Sequence, residues 1–319
     1  MEYRKLGRWG AKVSAVGLGS WLTYGGSVEE ETAAACIRRA YDLGVNFFDT
    51  ANGYARGRAE EVVGKTLAPM PRESYVLATK VFFPMGEGPN DKGLSRKHVW
   101  EQLHASLRRL GMDYVDLYQC HRYDEDTPLE ETCRVMADLI ARGQVLYWGV
   151  SEWSADQIAH AVAVCRSHSW PEPVSNQPQY SALWRRIEHG VLPVSKELGL
   201  GQLAWSPLAG GVLTGKYTSV DDIPADSRAA GGGRQFMGNF FDARTLAAVQ
   251  EVRVLAEEAG SSPSQLALAW CLRDPGVSSV IVGATKTSHV EDNVGAADLR
   301  ADPSVLARMD GLLRGVAHH

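Results

Sequence analysis

The chain has 319 residues, 45% apolar and 22% charged, with a formal net charge of −5; this fills a large globular core and fits one barrel-sized domain over residues 1–319. The acidic balance offers no basic surface for nucleic acid, and no apolar run approaches the roughly 18 residues that membrane insertion needs. The opening MEYRKLGRWG has no apolar targeting segment, and the five scattered cysteines (Cys36, Cys120, Cys133, Cys165, Cys271) never take C-x-x-C spacing, so a reducing cytoplasmic setting without a metal is expected.

The first residues read as a short hairpin around Gly7 to Gly10, followed by one apolar strand over 13–18. Apolar positions at helical spacing then predict a helix over 29–43, stopped by Gly44. A strand over 45–49, a helix over 59–67 and a strand over 75–80 follow. Ser95 caps a helix over 98–110 that Gly111 ends, and 114–121 is a strand. A helix over 129–141, a strand over 145–150, a helix over 155–165 starting at Ser154 and a short strand over 173–176 continue the alternation. One helix is expected over 186–198 and a strand over 201–205. Residues 207–239 are glycine- and serine-rich and irregular; a stretch that long is functional or partly disordered. Helices over 243–259 and 263–272, a strand over 279–282 and helices over 288–294 and 303–313 complete the chain.

Eight strands, each followed by helix and none joined by hairpins, predict a parallel sheet closed into a (β/α)8 TIM barrel, with the N-terminal hairpin and extra C-terminal helices added. An open doubly wound sheet is the rival. Gly17 and Gly19 begin a G-x-G, but no third glycine and no helix start follow, which disfavours a dinucleotide fingerprint of that type. No repeat of 20 to 50 residues is present.

In such a barrel chemistry sits at the C-terminal strand ends. Those ends are Asp49, Lys80, His121, Ser151, Gln177, Trp205–Ser206 and Gly283. Asp49 and Lys80 can be a structural ion pair, since a buried carboxylate needs a partner. Tyr54, just beyond Asp49, adds chemistry. A nearby ammonium stabilises phenolate, and the sequence reading is that Lys80 lowers the Tyr54 pKa enough for proton donation near neutrality. His121 then orients a carbonyl oxygen or shares the proton. One carboxylate and one imidazole beside a lysine, with no H-E-x-x-H, make a poor metal site.

The segment WSPLAGGVLTGKY brings glycines 210, 211 and 215 with Ser206 and Lys216, a composition suited to an anion. VGATKTSHVEDN runs from the last strand into a helix N-terminus with Lys286. Phosphate sites after strands seven and eight recur in this barrel, so a cofactor with more than one phosphate is expected. Trp205 offers a flat face for stacking, although a lone tryptophan is also a common core residue.

FFDTANGY, VLATK, LYQCH, GVSEWS, NQPQYS, WSPLAGGVLTGKY and VGATKTSHVEDNVGA together resemble the aldo-keto reductases across essentially the whole chain. GLSRKHVWEQLHASLRRL, YWGVSEWS and LALAWCLRDPGVSSVIVGA are most similar to the voltage-gated potassium channel β-subunit branch and its bacterial relatives. The resemblance implies a catalytic tetrad of Asp49, Tyr54, Lys80 and His121. It implies NADP(H) as cofactor, with Ser151 and Gln177 on the nicotinamide amide and Trp205 stacked on the ring. Ser206, Leu208, Gly210 and Lys216 would wrap the pyrophosphate, and Arg228 would lie near the adenine end. Gly283, Thr285, Lys286, His289, Asp292 and Asn293 complete the expected cofactor set, with Lys286 supplying charge where some members use an arginine at the position of His289. Many members carry Asn where this chain has Glu152, which is given no cofactor role.

A small-molecule carbonyl substrate is implied, with Trp21, Tyr24, Phe82, Phe83, Tyr123 and Trp153 as pocket residues favouring an apolar or aromatic aldehyde. The branch also implies a homo-oligomer, a tetramer. Two functions remain open: an NADP-dependent carbonyl reductase, and an NADP(H)-binding redox-sensing regulatory subunit with little turnover. Mammalian channel subunits carry Asn where this chain has His121, so the full tetrad favours the enzyme.

Overall fold

The computed structural model describes residues 1–26, 28–225, 227–230, 233–299 and 301–319. Eight parallel strands close into a barrel: β3 (Val16–Gly19), β4 (Phe47–Asp49), β5 (Val76–Val81), β6 (Val115–Cys120), β7 (Val145–Ser151), β8 (Ser175–Gln177), β9 (Gly201–Trp205) and β10 (Val277–Val282), with β10 pairing both β9 and β3. The predicted single strand over 13–18 divides instead. Its first part, β2 (Lys12–Ser14), pairs antiparallel with β1 (Tyr3–Lys5), and only Val16 onward enters the barrel. The division has a packing reason. Leu6 and Val13 of the hairpin cluster with Phe47, Ala78, Leu117, Leu203 and Ile281, so the hairpin closes one end of the barrel interior.

Barrel strands are short apolar runs whose alternate residues face inward. The glycines of the G-x-G serve that interior. A Cβ at Gly17 would meet Phe47 Cδ1 at 2.6 Å and one at Gly19 would meet Ile281 Cγ2 at 2.6 Å, so these positions make room for large neighbours rather than for a dinucleotide.

The outer layer comprises α1 (Glu30–Asp42), α2 (Arg58–Leu67), α3 (Arg96–Leu110), α4 (Leu129–Ala141), α5 (Ala155–Ser167), α6 (Val191–Leu198), α7 (Ala243–Glu258), α8 (Pro263–Leu272), α9 (Thr287–Gly295) and α10 (Pro303–Leu313). Local signals mark their ends. Ser95 accepts from His98 N and Gly111 closes α3 at φ 66°, while Ser154–Gln157 and Ser262–Gln265 form capping boxes on α5 and α8. The helix expected over 186–198 is two pieces, a 3₁₀ turn Arg186–His189 and α6, separated at Gly190 (φ −143°). The irregular stretch over 207–239 contains two 3₁₀ segments, Ala209–Thr214 and Arg234–Phe240; its Asp226, Gly231 and Gly232 lie outside the described residues. Among the described residues no helix is long and apolar enough to cross a membrane.

Candidate active site

Strand register decides which polar groups meet. Asp49 ends β4, and Lys80 on β5 lies level with Gln119 on β6. Ser151 on β7 pairs with Gln177 on β8. Inside the barrel mouth, Lys80 Nζ donates to Asp49 Oδ1 at 2.5 Å, to the Thr50 carbonyl at 2.9 Å and to the Tyr54 hydroxyl at 3.1 Å. The other Asp49 oxygen accepts from Gln177 Nε2 at 2.8 Å and Gln119 Nε2 at 3.3 Å. Lys80 is fully buried and Asp49 3% exposed. A buried ion pair of this kind holds only because its remaining hydrogen-bond capacity is met, and every bond above does that.

Electrostatics correct one expectation. Burial lifts the Tyr54 phenol above its ordinary pKa; Lys80 pulls the other way, but Asp49 adds to the rise. Desolvation outweighs the pull of the ammonium, which the carboxylate at 2.5 Å opposes in part, so the net shift in the free site is upward. Burial also works against the Lys80 charge, yet Asp49 and Tyr54 together hold its pKa above the ordinary lysine value. His121 follows β6, with its ring 5.6 Å from that of Tyr54 and 4.8 Å from that of Phe83. Burial, then Lys80 and Arg122, depress its pKa well below the usual imidazole value, so the ring is neutral.

Asp49, Tyr54 and His121 open into a cleft of about 1200 Å³, with Lys80 beneath them. Ser151, Gln177, Trp205, Ser206, Leu208, Gly210 and Lys216 line it. So do Arg228, Gly283, Thr285, Lys286, His289, Asp292 and Asn293. Of the expected pocket aromatics, Trp21 and Phe83 line the cleft, and Tyr24, Phe82, Tyr123 and Trp153 do not. Tyr24 and Trp153 are core residues, each 2% exposed, and Tyr123 packs edge-on against Trp153 at 4.8 Å. Phe82 follows β5 one position before Phe83 and packs on the core, with its ring edge-on to that of Phe83 at 5.4 Å.

The donor set suits a large anionic cofactor. Trp205 and Trp21 pack edge to face at 5.7 Å, giving the cleft an aromatic wall. Gly210 (φ 69°) and Gly211 (φ 98°) hold a turn closed to side chains, and a Cβ at Gly211 would lie 3.5 Å from Lys216 Nζ. The N–H groups of those two glycines are taken by Ser206 Oγ (3.1 Å) and the Leu208 carbonyl (2.9 Å), and the exposed Lys216 brings positive charge to the same turn. Burial pulls the Arg228 guanidinium below its usual pKa, as for a cation set back from water. Of the seven described non-glycine residues with left-handed φ, six (Leu22, Ala55, Arg56, Glu152, Ser206 and Ala209) stand in segments that leave the C-terminal strand ends. Strain concentrated on one rim marks a functional face.

Three residues were missed in the sequence. Gln119 lies two places before His121 on one strand and so shares its side; alternation was the available signal. Glu152 accepts from Trp205 Nε1 at 2.7 Å and from Gln179 N at 2.5 Å, contacts from 53 and 27 residues away that leave no local trace. Arg122 lines the cleft beside His121.

A sequence model of the family described as "Aldo/keto reductase family" matches residues 15–314. A protein of Oryza sativa subsp. japonica, "Probable voltage-gated potassium channel subunit beta", is 44% identical over 98% of this chain and 97% of its own length. A "Putative voltage-gated potassium channel subunit beta" of Schizosaccharomyces pombe is 44% identical over 98% of this chain and 93% of its own. An Arabidopsis thaliana protein with the same description as the rice one is 43% identical over 98% and 97%. The chain belongs to the aldo/keto reductase family.

Proposed function

We propose that this aldo/keto reductase reduces aldehydes and ketones to alcohols with NADPH, and that Tyr54 gives the proton. The observation carrying this reading is the Tyr54 hydroxyl 3.1 Å from Lys80 Nζ at the inner end of the cleft, beside a neutral His121. A nicotinamide cofactor, when bound, supplies the hydride. Everything else falls to the chain. Tyr54 enters the reaction protonated, because burial raises its pKa, and donates to the carbonyl oxygen. The N–H of the neutral His121 ring holds the same oxygen in line. Once the proton has left Tyr54, Lys80 stabilises the phenolate, and Asp49 keeps Lys80 in place through 2.5 Å contact while Gln119 and Gln177 anchor Asp49.

Trp205, with Ser151 and Gln177, would hold the nicotinamide end; Ser206, Leu208, Gly210 and Lys216 the phosphates; Arg228, Lys286 and His289 the 2′-phosphate; and Gly283, Thr285, Asp292 and Asn293 the adenosine side. A screen for NADPH consumption over aldehydes and ketones tests the reading. Turnover that Tyr54→Phe abolishes supports it; no turnover of any reactive aldehyde refutes it.

The relatives are described as potassium channel β-subunits, and a second reading of this chain is accordingly a subunit of a channel, which we take to bind the cofactor and report redox state to its partner. A single turnover separates the two. NADPH-loaded protein is mixed with a reactive aromatic aldehyde and nicotinamide absorbance is followed; oxidation with repeated turnover supports the enzyme, and tight NADPH binding without oxidation above buffer supports the sensor.

A further inference from the structure

At the reaction end of the cleft one cation has no acid beside it among the described residues. Arg122 directly follows His121, is half-buried, and lines the cleft with Tyr54, Phe83 and His121. Its Nη1 donates to the His121 carbonyl at 2.5 Å, and its guanidinium carbon stands 5.5 Å from the centroid of the Phe83 ring. Among the described residues no carboxylate oxygen lies within 4.0 Å of its nitrogens. The neighbouring acids are committed elsewhere. Asp124 accepts from Leu94 N at 2.6 Å and Thr127 Oγ1 at 2.8 Å, Glu152 from Trp205, and Asp49 from Lys80.

A guanidinium carries five N–H donors in a flat fork, and the contact to His121 occupies one side of it. The cations suited to cofactor phosphate cannot be confused with this one. Lys216 follows β9 and Lys286 follows β10, whereas Arg122 follows β6, which faces β10 across the closed barrel. Steps of 5.5 Å and 4.8 Å through Phe83 connect the guanidinium to the His121 ring.

We infer that Arg122 anchors the substrate, and that the preferred substrates are aldehydes bearing a carboxylate, separated from the carbonyl by a short apolar spacer that packs on Phe83. A carboxylate matches the guanidinium fork in a bidentate pair. The half-buried setting strengthens that pair over one in open water. The inference rests on the carbonyl-reductase reading and narrows it.

The test compares reduction of para-formylbenzoate with that of para-formylbenzamide, which has the same ring and no charge, by NADPH-loaded protein. The wild type is expected to favour the carboxylate in kcat/KM by roughly 10-fold, the lower end for a charge-assisted hydrogen bond at a partly exposed group. Arg122→Leu brings the ratio to about one or below, Arg122→Lys keeps part of it, and added salt erodes it. Any effect of the Arg122 charge on Tyr54 or His121 acts on both aldehydes and cancels in the ratio. A wild-type ratio of one, or a ratio that Arg122→Leu leaves unaltered, overturns the inference while leaving the reductase reading intact. If neither aldehyde is reduced, it is the reductase reading that fails. Calorimetric binding of para-formylbenzoate to the NADP-loaded protein then decides the anchor: weaker binding to Arg122→Leu supports it, and equal affinity overturns it.

Discussion

The indole N–H of Trp205 donates to Glu152 Oε1 at 2.7 Å, from a Glu152 backbone held at φ 59°. The carboxylate thus fixes the aromatic wall of the cleft, a role the sequence did not suggest. Glu152→Leu frees the indole and raises the NADPH dissociation constant by a factor of roughly 5, the scale of one net hydrogen bond. Glu152→Gln keeps an acceptor oxygen and most of the affinity. Titrations followed by tryptophan quenching check this; wild-type affinity in both variants would detach the indole from Glu152.

Tyr54→Phe removes the proton donor while leaving the ring. We expect kcat to drop by about 100-fold or more, the usual scale of lost acid catalysis, with NADPH affinity nearly unaltered. Steady-state kinetics alongside a cofactor titration measure both.

Asp49→Asn leaves Lys80 charged and buried among neutral acceptors alone, an amide oxygen at position 49, the Thr50 carbonyl and Tyr54. Breaking a buried pair from one side costs about 3–5 kcal/mol, so denaturant midpoints should shift strongly downward and activity should fall with them. An unfolding curve that overlays the wild type would mean that the pair contributes little to holding the barrel mouth.

NADP(H) is expected to bind roughly 10- to 100-fold more tightly than NAD(H), from one charge-assisted contact to the 2′-phosphate. Lys286→Ala narrows that gap with little effect on kcat. Equal dissociation constants in the wild type would remove Lys286 and Arg228 from this role.

The pH profile follows from the buried groups. His121 lies well below its ordinary 6.5, so the ring stays neutral on both sides of that pH and kcat/KM for carbonyl reduction should show no break there. Tyr54 lies above its ordinary 10.0, so the donor persists to strongly alkaline pH. Stability has the opposite sensitivity. The unfolded chain protonates His121 below 6.5 more readily than the folded one, so the stability present above 6.5 is lost as pH falls toward the folded value. Kinetic profiles and denaturation at several pH values test the two together.

Strand-and-helix alternation and the polar strand ends were legible in the sequence because both are local. Apolar periodicity of two or 3.6 and the capping signals at Ser95, Ser154 and Gly111 act within a few residues. A barrel then places every strand end on one rim, so Asp49, Lys80, His121 and Trp205 could be picked out before any contact was known. Boundaries that depend on packing were not legible. The break between β2 and β3 exists because Leu6 and Val13 fill one end of the barrel, and no feature of the 13–18 run itself announces it. The same holds for Tyr24 and Trp153, aromatic loop residues that the core absorbs. Only the tertiary structure decided the direction of the Tyr54 pKa, because desolvation competes there with a lysine 26 residues away and outweighs it. Pairs such as Glu152 with Trp205, and the absence of an acid around Arg122 among the described residues, are likewise products of chain crossings. Sequence periodicity carries no record of them, since each depends on which loops the closed barrel brings side by side.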